Sequence, residues 1–326
     1  MIKPLSVYIH LPFCEQRCGY CDFVSCCDVA LIDQYLDQLL TEIKAFDFSS
    51  YIVKTIYVGG GTPSLLTPTQ VRKLFAALPI CRGEITLEAN PNSLTAAKLA
   101  AYRAVGINRL SIGVQSFNNR TLRDLGRLHD VKQAVAAIKL AKQYIENISI
   151  DLIKDIPGHT LLLPPASVLD MIKHISIYSL TKDDQPVLET DEDVLLPLDF
   201  RHYEVSNYAR PGYESQHNLV YWTGGEYIGF GSGAHSLLNN TRFCNSNEII
   251  GYHRKPATLR TAEMVRHEKI MLGLRLSTGF DRNLLVDKDD EVAMLQEHGL
   301  IKLVGEKVVA TKRGLKILNQ IWLRLV

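Results

Sequence analysis

The sequence lacks any apolar run approaching the roughly 18 residues that a membrane-spanning helix requires. It also lacks a strong charge of either sign: 36 Lys and Arg stand against 35 Asp and Glu, a net of +1. No whole-chain field therefore favours nucleic acid or anionic lipid. Internal repeats and low-complexity tracts are absent, which argues against a solenoid. The start, "MIKPLSVYIHLPF", has one lysine but no long apolar stretch and no small-residue cleavage site. It reads as a first strand rather than a signal peptide. Nothing points to secretion, and the seven cysteines are an odd number. A reducing cytoplasm is the simplest compartment, and there clustered cysteines serve as metal ligands or catalysts more often than as disulfides. At 326 residues the chain has the length of one barrel with an appendage, or of two modest domains.

What is present is a rhythm. Short β-rich apolar runs at 5–11, 55–59, 84–89, 109–115, 148–153 and 174–180 are predicted strands. Amphipathic stretches at 31–46, 67–78, 93–106 and 130–144 separate the first five and predict crossover helices. The alternation predicts parallel strands in an incomplete (β/α) barrel or an open doubly wound sheet. In either architecture the chemistry belongs at the carboxyl ends of the strands. The cysteines follow strand one, "GGGTP" (59–63) follows strand two, Glu88 ends strand three, Gln115 ends strand four, and Asp151 lies in strand five. The rhythm weakens at 158–173, where Pro164 and Pro165 break helices, and at the acidic stretch 181–200. Residues 201–238 are rich in aromatics and glycine. From about 260 the order helix, helix, hairpin turning at Gly305, helix predicts a winged-helix-like α+β unit.

Cys14, Cys18 and Cys21 in "HLPFCEQRCGYCDFVSCC" form a C-x₃-C-x₂-C pattern. Three thiolates on a loop after a strand suit a cubane iron–sulfur cluster with one open iron. Zinc remains open, because Cys26 or Cys27 can supply the fourth ligand of a closed site. Buried free cysteines are the plain alternative.

The spacing, with Tyr20 before the third cysteine, resembles the signature of the radical S-adenosylmethionine (SAM) superfamily. "VYIHLPFC", "YVGGGTPSLL", "EANPNSL", "INRLSIGVQSFNNRTLRDLGRLHD", "YEVSNYARPGYESQHNLVYW" and "GFGSGAHS" resemble the oxygen-independent coproporphyrinogen III oxidase-like family. The resemblance runs from about residue 5 to 238 and resumes at 271–276. It implies a partial (β/α)6 TIM-like barrel over 1–200, a haem- or substrate-side extension at 201–255 and the winged-helix-like unit at 256–326. It further implies a [4Fe–4S] cluster on Cys14, Cys18 and Cys21, whose open iron chelates SAM and whose reduction cleaves SAM to a 5′-deoxyadenosyl radical. The implied SAM contacts are Tyr8 near the cluster, Gly60, Gly61, Thr62, Glu88, Gln115, Arg127 and Asp151. Independently of the family, the glycines permit close backbone approach, or else make only a tight turn. Arg127 suits a carboxylate, and Glu88 and Asp151 are costly in apolar strands unless partnered.

"DLIKDIPGHT" (151–160) departs from the family pattern, with Lys154 and Asp155 in place of an aromatic and a glycine, and His159 in place of a glutamine. The connection at 158–203 is shorter than the family's by roughly 30–50 residues, so the last strands are expected to be less well covered. The oxidases carry a fourth cysteine where this chain has Phe23. Phe at that position resembles the haem-chaperone (HemW) branch, whose H-N-x-x-Y haem motif is present as His217, Asn218 and Tyr221, with Tyr213 and Trp222 nearby. His and Tyr both ligate haem iron elsewhere. The plain reading is a loop histidine beside an aromatic core, and His235 is a second candidate. The resemblance thus implies haem and haem-acceptor proteins as partners, and leaves room for a homodimer and for peripheral membrane contact. A catalytic porphyrinogen oxidase and a degenerate binding module without SAM turnover are the alternatives. Acidic residues at 287–291 begin a helix of the C-terminal unit and repel phosphate, which argues against nucleic acid and for a lid or docking module.

Overall fold

The computed structural model describes residues 2–20, 23–180 and 196–326. Cys21 and most of the acidic stretch lie outside them. Six parallel strands form the body: β1 (Lys3–Leu11), β2 (Tyr51–Gly60), β3 (Glu84–Ala89), β4 (Arg109–Gln115), β5 (Asn147–Lys154) and β6 (His174–Ser179). Each pairs with the next in sequence, in the order β1-β2-β3-β4-β5-β6. A doubly wound sheet reverses its strand order at a switch point. These six strands never do, which favours the partial barrel. The strands read as nearly continuous buried runs, as expected when both faces are covered.

The crossover helices start where local chemistry directs them. α1 (Ile32–Ala45) buries Ile32, Tyr35, Leu36, Leu39, Leu40 and Ile43, a stripe at helical spacing. α2 (Pro68–Ala76) opens with a Thr67/Gln70 capping box and a proline in its first turn. α3 (Ala96–Ala104) is capped by Thr95. A short α4 (Asn119–Asp124) precedes α5 (Val131–Lys142), which has a second capping box, Asp130/Gln133.

Between β5 and β6 only α6 (Ala166–Leu169) forms. The expected poor cover of the last strands does not follow. Ile148, Ile150, Leu152, Ile175 and Ile177 are all buried, because Val168 and Ile172, themselves without exposure, pack in the same core. Two well-placed aliphatics replace a longer helix.

The segment after residue 200 adds strands to both edges. β7 (Arg201–Glu204) and β8 (Asn207–Ala209) run antiparallel beyond β6. Helix α7 (Gln216–Trp222) follows, then β9 (Tyr227–Phe230), which pairs in parallel with β1 on the edge opposite β2. This seventh parallel strand was not among the six expected. β10 (His235–Leu238), β11 (Thr241–Cys244) and β12 (Thr258–Leu259) continue outward antiparallel. Beyond them α8 (Ala262–Gly273), β13 (Phe280–Asp281), α9 (Asp289–Glu297), β14 (Ile301–Val304), β15 (Lys307–Ala310), α10 (Lys312–Leu315) and α11 (Leu318–Leu325) close around a separate core. Ile270, Leu274, Phe280, Leu295, Val308 and Ile321 are its buried centre. No helix among the described residues is long and apolar enough to cross a membrane.

Candidate functional site

A cavity of about 590 Å³ opens at the carboxyl ends of β1 to β6. Of the predicted site residues, Cys14, Cys18, Gly60, Gly61, Thr62, Glu88, Gln115, Arg127, Asp151 and Asn218 line it. Cys21 lies outside the described residues. Tyr8, His217 and Tyr221 do not line it.

The two described cysteine sulfurs are joined by a hydrogen-bonded arc. Thr62 Oγ1 donates to Cys14 Sγ (3.7 Å), and Asn90 Nδ2 donates to Thr62 Oγ1 (3.0 Å). Arg127 Nη2 donates to Asn90 Oδ1 (2.6 Å) and to the Gly113 carbonyl (2.9 Å), while Nη1 reaches Cys18 Sγ (3.6 Å). Asn90 escaped the sequence reading. Its signal was position: it is the first polar residue past the carboxyl end of β3, inside "EANPNSL".

The triple glycine brings β2 against the cysteine loop. Gly61 N donates to the Leu11 carbonyl and Thr62 N to the Phe13 carbonyl, at 2.8 and 2.7 Å. A Cβ on Gly61 would stand 2.6 Å from the Phe13 carbonyl oxygen and 2.9 Å from Cys14 Sγ. The "GFGSG" loop supports the same segment from the other side. Gly231, at φ 101°, has Tyr35 Oη and the His10 carbonyl where a Cβ would go. Tyr35 ties the two together, donating to the His10 carbonyl (2.8 Å) and accepting from Ser232 N (2.9 Å). His235, beside this loop, is exposed on β10 and does not line the cavity.

Two carboxylates face the cavity. Glu88 accepts from Tyr57 Oη (2.7 Å) and Gly60 N (3.1 Å). Burial pushes its pKa up to about 7; these hydrogen bonds oppose the shift and the Asp151 charge adds to it. Asp151 accepts from Ser111 Oγ (3.1 Å), and burial raises its pKa too. Buried carboxylates held above their ordinary range call for a cationic or hydroxyl-bearing ligand. Among the described residues the buried Arg127 Nε has no hydrogen-bond partner, a donor left over for such a ligand. Gln115 ends β4 at φ 67°, left-handed backbone that a non-glycine residue rarely adopts, and it lines the cavity. The donor set therefore fits a thiolate-bound cluster with an amino acid-bearing cation beside it.

The altered segment after β5 keeps its turn. Asp155 sits at φ 58°, which explains a glycine there in the family pattern, and Asp is among the residues that tolerate that conformation. His159 is anchored to α4, with Nδ1 2.9 Å from Thr121 Oγ1 and Nε2 3.0 Å from Asp124 Oδ2.

Below the cavity, at the amino ends of the strands, α7 closes the barrel. Glu84 and Arg109 form a buried ion pair (3.9 Å), with Glu84 5% and Arg109 1% exposed. Glu84 also accepts from Gln216 N (3.0 Å) and His217 N (3.1 Å), so it caps α7. His217 has no exposure: Nδ1 lies 2.7 Å from Thr55 Oγ1 and Nε2 2.8 Å from Tyr221 Oη. Burial holds its pKa down to about 3. In this conformation both ring nitrogens are engaged. Lys173 lies over one face of Tyr213 and Arg275 over one face of Trp222. Tyr8 Oη lies 3.0 Å from His10 Nδ1 and is joined to the cysteine loop through that ring, whose Nε2 meets the Val24 carbonyl (2.9 Å).

The model of the radical SAM superfamily matches residues 8–161, the part of the chain that builds β1 to β5 and the cysteine loop. The heme chaperone HemW of Lactococcus lactis subsp. lactis (strain IL1403) is 34% identical, over 88% of this chain and 84% of its own length. The chain belongs to the HemW branch of the radical SAM superfamily. HemW of Bacillus subtilis (strain 168) is 32% identical and aligns over 97% of this chain and 98% of its own. A solved structure of coproporphyrinogen III oxidase (HemN) from Escherichia coli superposes with a TM-score of 0.78 at 21% identity, covering 99% of this chain and 90% of that one. At that identity the likeness speaks for the fold, the HemN-like partial barrel.

Proposed function

We propose that this protein is a haem chaperone that carries a [4Fe–4S] cluster and SAM in the described cavity and passes haem to acceptor proteins in the cytoplasm. One observation carries the reading: the Cys14 and Cys18 sulfurs stand at the mouth of a cavity lined by Glu88, Asp151 and Arg127, with Phe23 65% exposed beside them. The names of the relatives support the haem part. Cys14, Cys18 and Cys21 would hold the cluster. Gly60, Gly61 and Thr62 would meet the amino acid end of SAM, Arg127 its carboxylate, and Glu88, Gln115 and Asp151 its hydroxyls and positive charge. When bound, the cluster supplies one-electron reduction of SAM. The chain's own part is to orient the ligand, through the Thr62–Asn90–Arg127 arc, and to present buried carboxylates to its cation.

The haem test is a titration of wild type and His217→Ala, following the Soret band. Absence of a saturable Soret change in wild type overturns the haem reading. Equal affinity of both proteins removes His217 from the haem site and leaves it the structural role seen here. A second reading, a catalytic porphyrinogen oxidase, is favoured by the complete carboxylate and arginine set of the cavity. Anaerobic reconstitution with SAM and coproporphyrinogen III decides it: vinyl formation supports the oxidase, and its absence alongside haem binding supports the chaperone.

A further inference from the structure

Six rings run in continuous contact through the barrel interior. His10 and Tyr8 have centroids 6.0 Å apart, Tyr8 and Tyr57 6.2 Å, and Tyr57 and His217 5.1 Å. His217 and Tyr221 follow at 5.1 Å, and Tyr221 and Tyr227 at 4.6 Å. Tyr57 lines the cavity and Tyr227 is partly exposed at the other end.

Three of these phenols each donate to a base, and proton counting fixes the direction. The Val24 carbonyl can only accept, so His10 Nε2 carries the proton and Nδ1 is the lone pair that accepts from Tyr8 Oη. The Thr55 hydroxyl donates to Ser6 Oγ (2.8 Å), so Thr55 accepts from His217 Nδ1. His217 Nε2 is then the lone pair that accepts from Tyr221 Oη. Tyr57 donates to the Glu88 carboxylate. Tyrosines bonded to a base also occur elsewhere, Tyr203 at His174 and Tyr252 at Glu42, but their ring contacts are with His174 and Tyr35 rather than with this row. Among the described residues Tyr102 Oη has no hydrogen-bond partner, and Tyr35 Oη donates to an amide carbonyl, which is no base.

We propose that Tyr8, Tyr57 and Tyr221 form a proton-coupled electron relay joining the cavity wall to the barrel exterior. A one-electron oxidant, whether an organic radical or an oxidised metal centre, takes one electron from a phenol. The phenolic proton moves along the existing hydrogen bond to Glu88, His10 or His217. The products are the reduced oxidant, a neutral tyrosyl radical and a protonated base. Transfer to the next tyrosine returns electron and proton to the first as the second gives up its own, so no charge accumulates. Such a relay would drain a stray oxidising equivalent from the cavity. It is independent of which ligand fills the cavity, so failure of the haem titration leaves it standing.

The test places 3-aminotyrosine, a radical trap, at position 57 of the full-length protein. Photogenerated ruthenium(III) tris(bipyridine) is the oxidant, which is reduced to ruthenium(II), and the aminotyrosyl radical is read by electron paramagnetic resonance. The expected result is a signal at position 57 that is lost with Tyr221→Phe and kept with Tyr102→Phe, near-ultraviolet circular dichroism confirming the fold of both. An equal signal with Tyr221→Phe, a signal lost equally with Tyr102→Phe, or no signal in the parent overturns the relay.

Discussion

The two ends of one barrel treat their carboxylates differently. At the amino end, Glu84 is matched by Arg109 and two α7 amides, and His217 by Thr55 and Tyr221. At the carboxyl end, the Glu88 and Asp151 carboxyls are held above their ordinary range by burial. Among the described residues Arg109 Nε and Arg127 Nε are alike without a hydrogen bond, so the difference lies in the carboxylates and not in the arginines. A carboxylate matched by a cation and amides specifies structure, whereas one held up by burial has room for a cationic ligand. The comparison teaches that a short motif has to be located before it is interpreted. The H-N-x-x-Y residues His217 and Tyr221 belong to the amino end, while Asn218 alone of the motif touches the cavity.

The largest expected effect breaks the closed end. Glu84→Ala leaves the Arg109 charge buried and uncompensated and uncaps α7, so a loss of about 3–5 kcal/mol in unfolding free energy is expected by denaturant titration. A loss below about 1 kcal/mol would show that this end is not saturated by its ion pair. Next, His217→Ala should cost about 2–4 kcal/mol, since it opens a cavity and takes the acceptor from the Tyr221 hydroxyl. A neutral outcome in the same melt would free His217 for a role elsewhere.

The open end should respond to pH rather than to truncation. Glu88 and Glu204 both have pKa values pushed up to about 7 by burial. Between the ordinary glutamate range and pH 7 these two groups hold protons in the folded ligand-free protein that the unfolded chain has released, so their contribution to stability falls as pH rises through that window. Buried His129, His174 and His217, whose pKa values burial lowers, contribute in the opposite sense. Glu88→Gln should therefore make stability rise more steeply, or fall less, with pH than in wild type, and thermal melts between pH 4.5 and 7.5 check it; an unchanged pH dependence removes Glu88 from the account. The smallest effect is expected at the rim. Asp155→Gly relieves a left-handed backbone and should stabilise by about 0.5–1 kcal/mol, unless loss of the Lys154–Asp155 contact (3.4 Å) cancels the gain.

Much of this was legible from residues alone, for identifiable reasons. Parallel strands buried on both faces leave continuous apolar runs, so all six lay within a few residues of their predicted bounds, as did α1, α2, α3 and α5. Polar residues at carboxyl ends of such runs, like Glu88 and Gln115, announce themselves by breaking the pattern. What stayed hidden depends on pairing between distant segments. β9 is only four residues long and its partner is β1, so no local period marks it. The burial of His217 follows from α7 docking on β2 and β3, which nothing within "HNLVY" encodes. Asn90 matters because Arg127 comes from another crossover to meet it.

The seating of β9 against β1 has a consequence for how the protein is made. The cysteine loop leaves β1, and its bed is completed by Gly231, Ser232 and the β9 backbone, encoded far downstream. On the ribosome, the outer edge of β1 stays unpaired until residue 230 has emerged. The loop that carries Cys14 and Cys18 is unsupported on that side for most of synthesis. The seat of these two thiols is thereby completed late, after the chain's own C-terminal half has closed the barrel, and a prematurely terminated chain lacks that side of the seat.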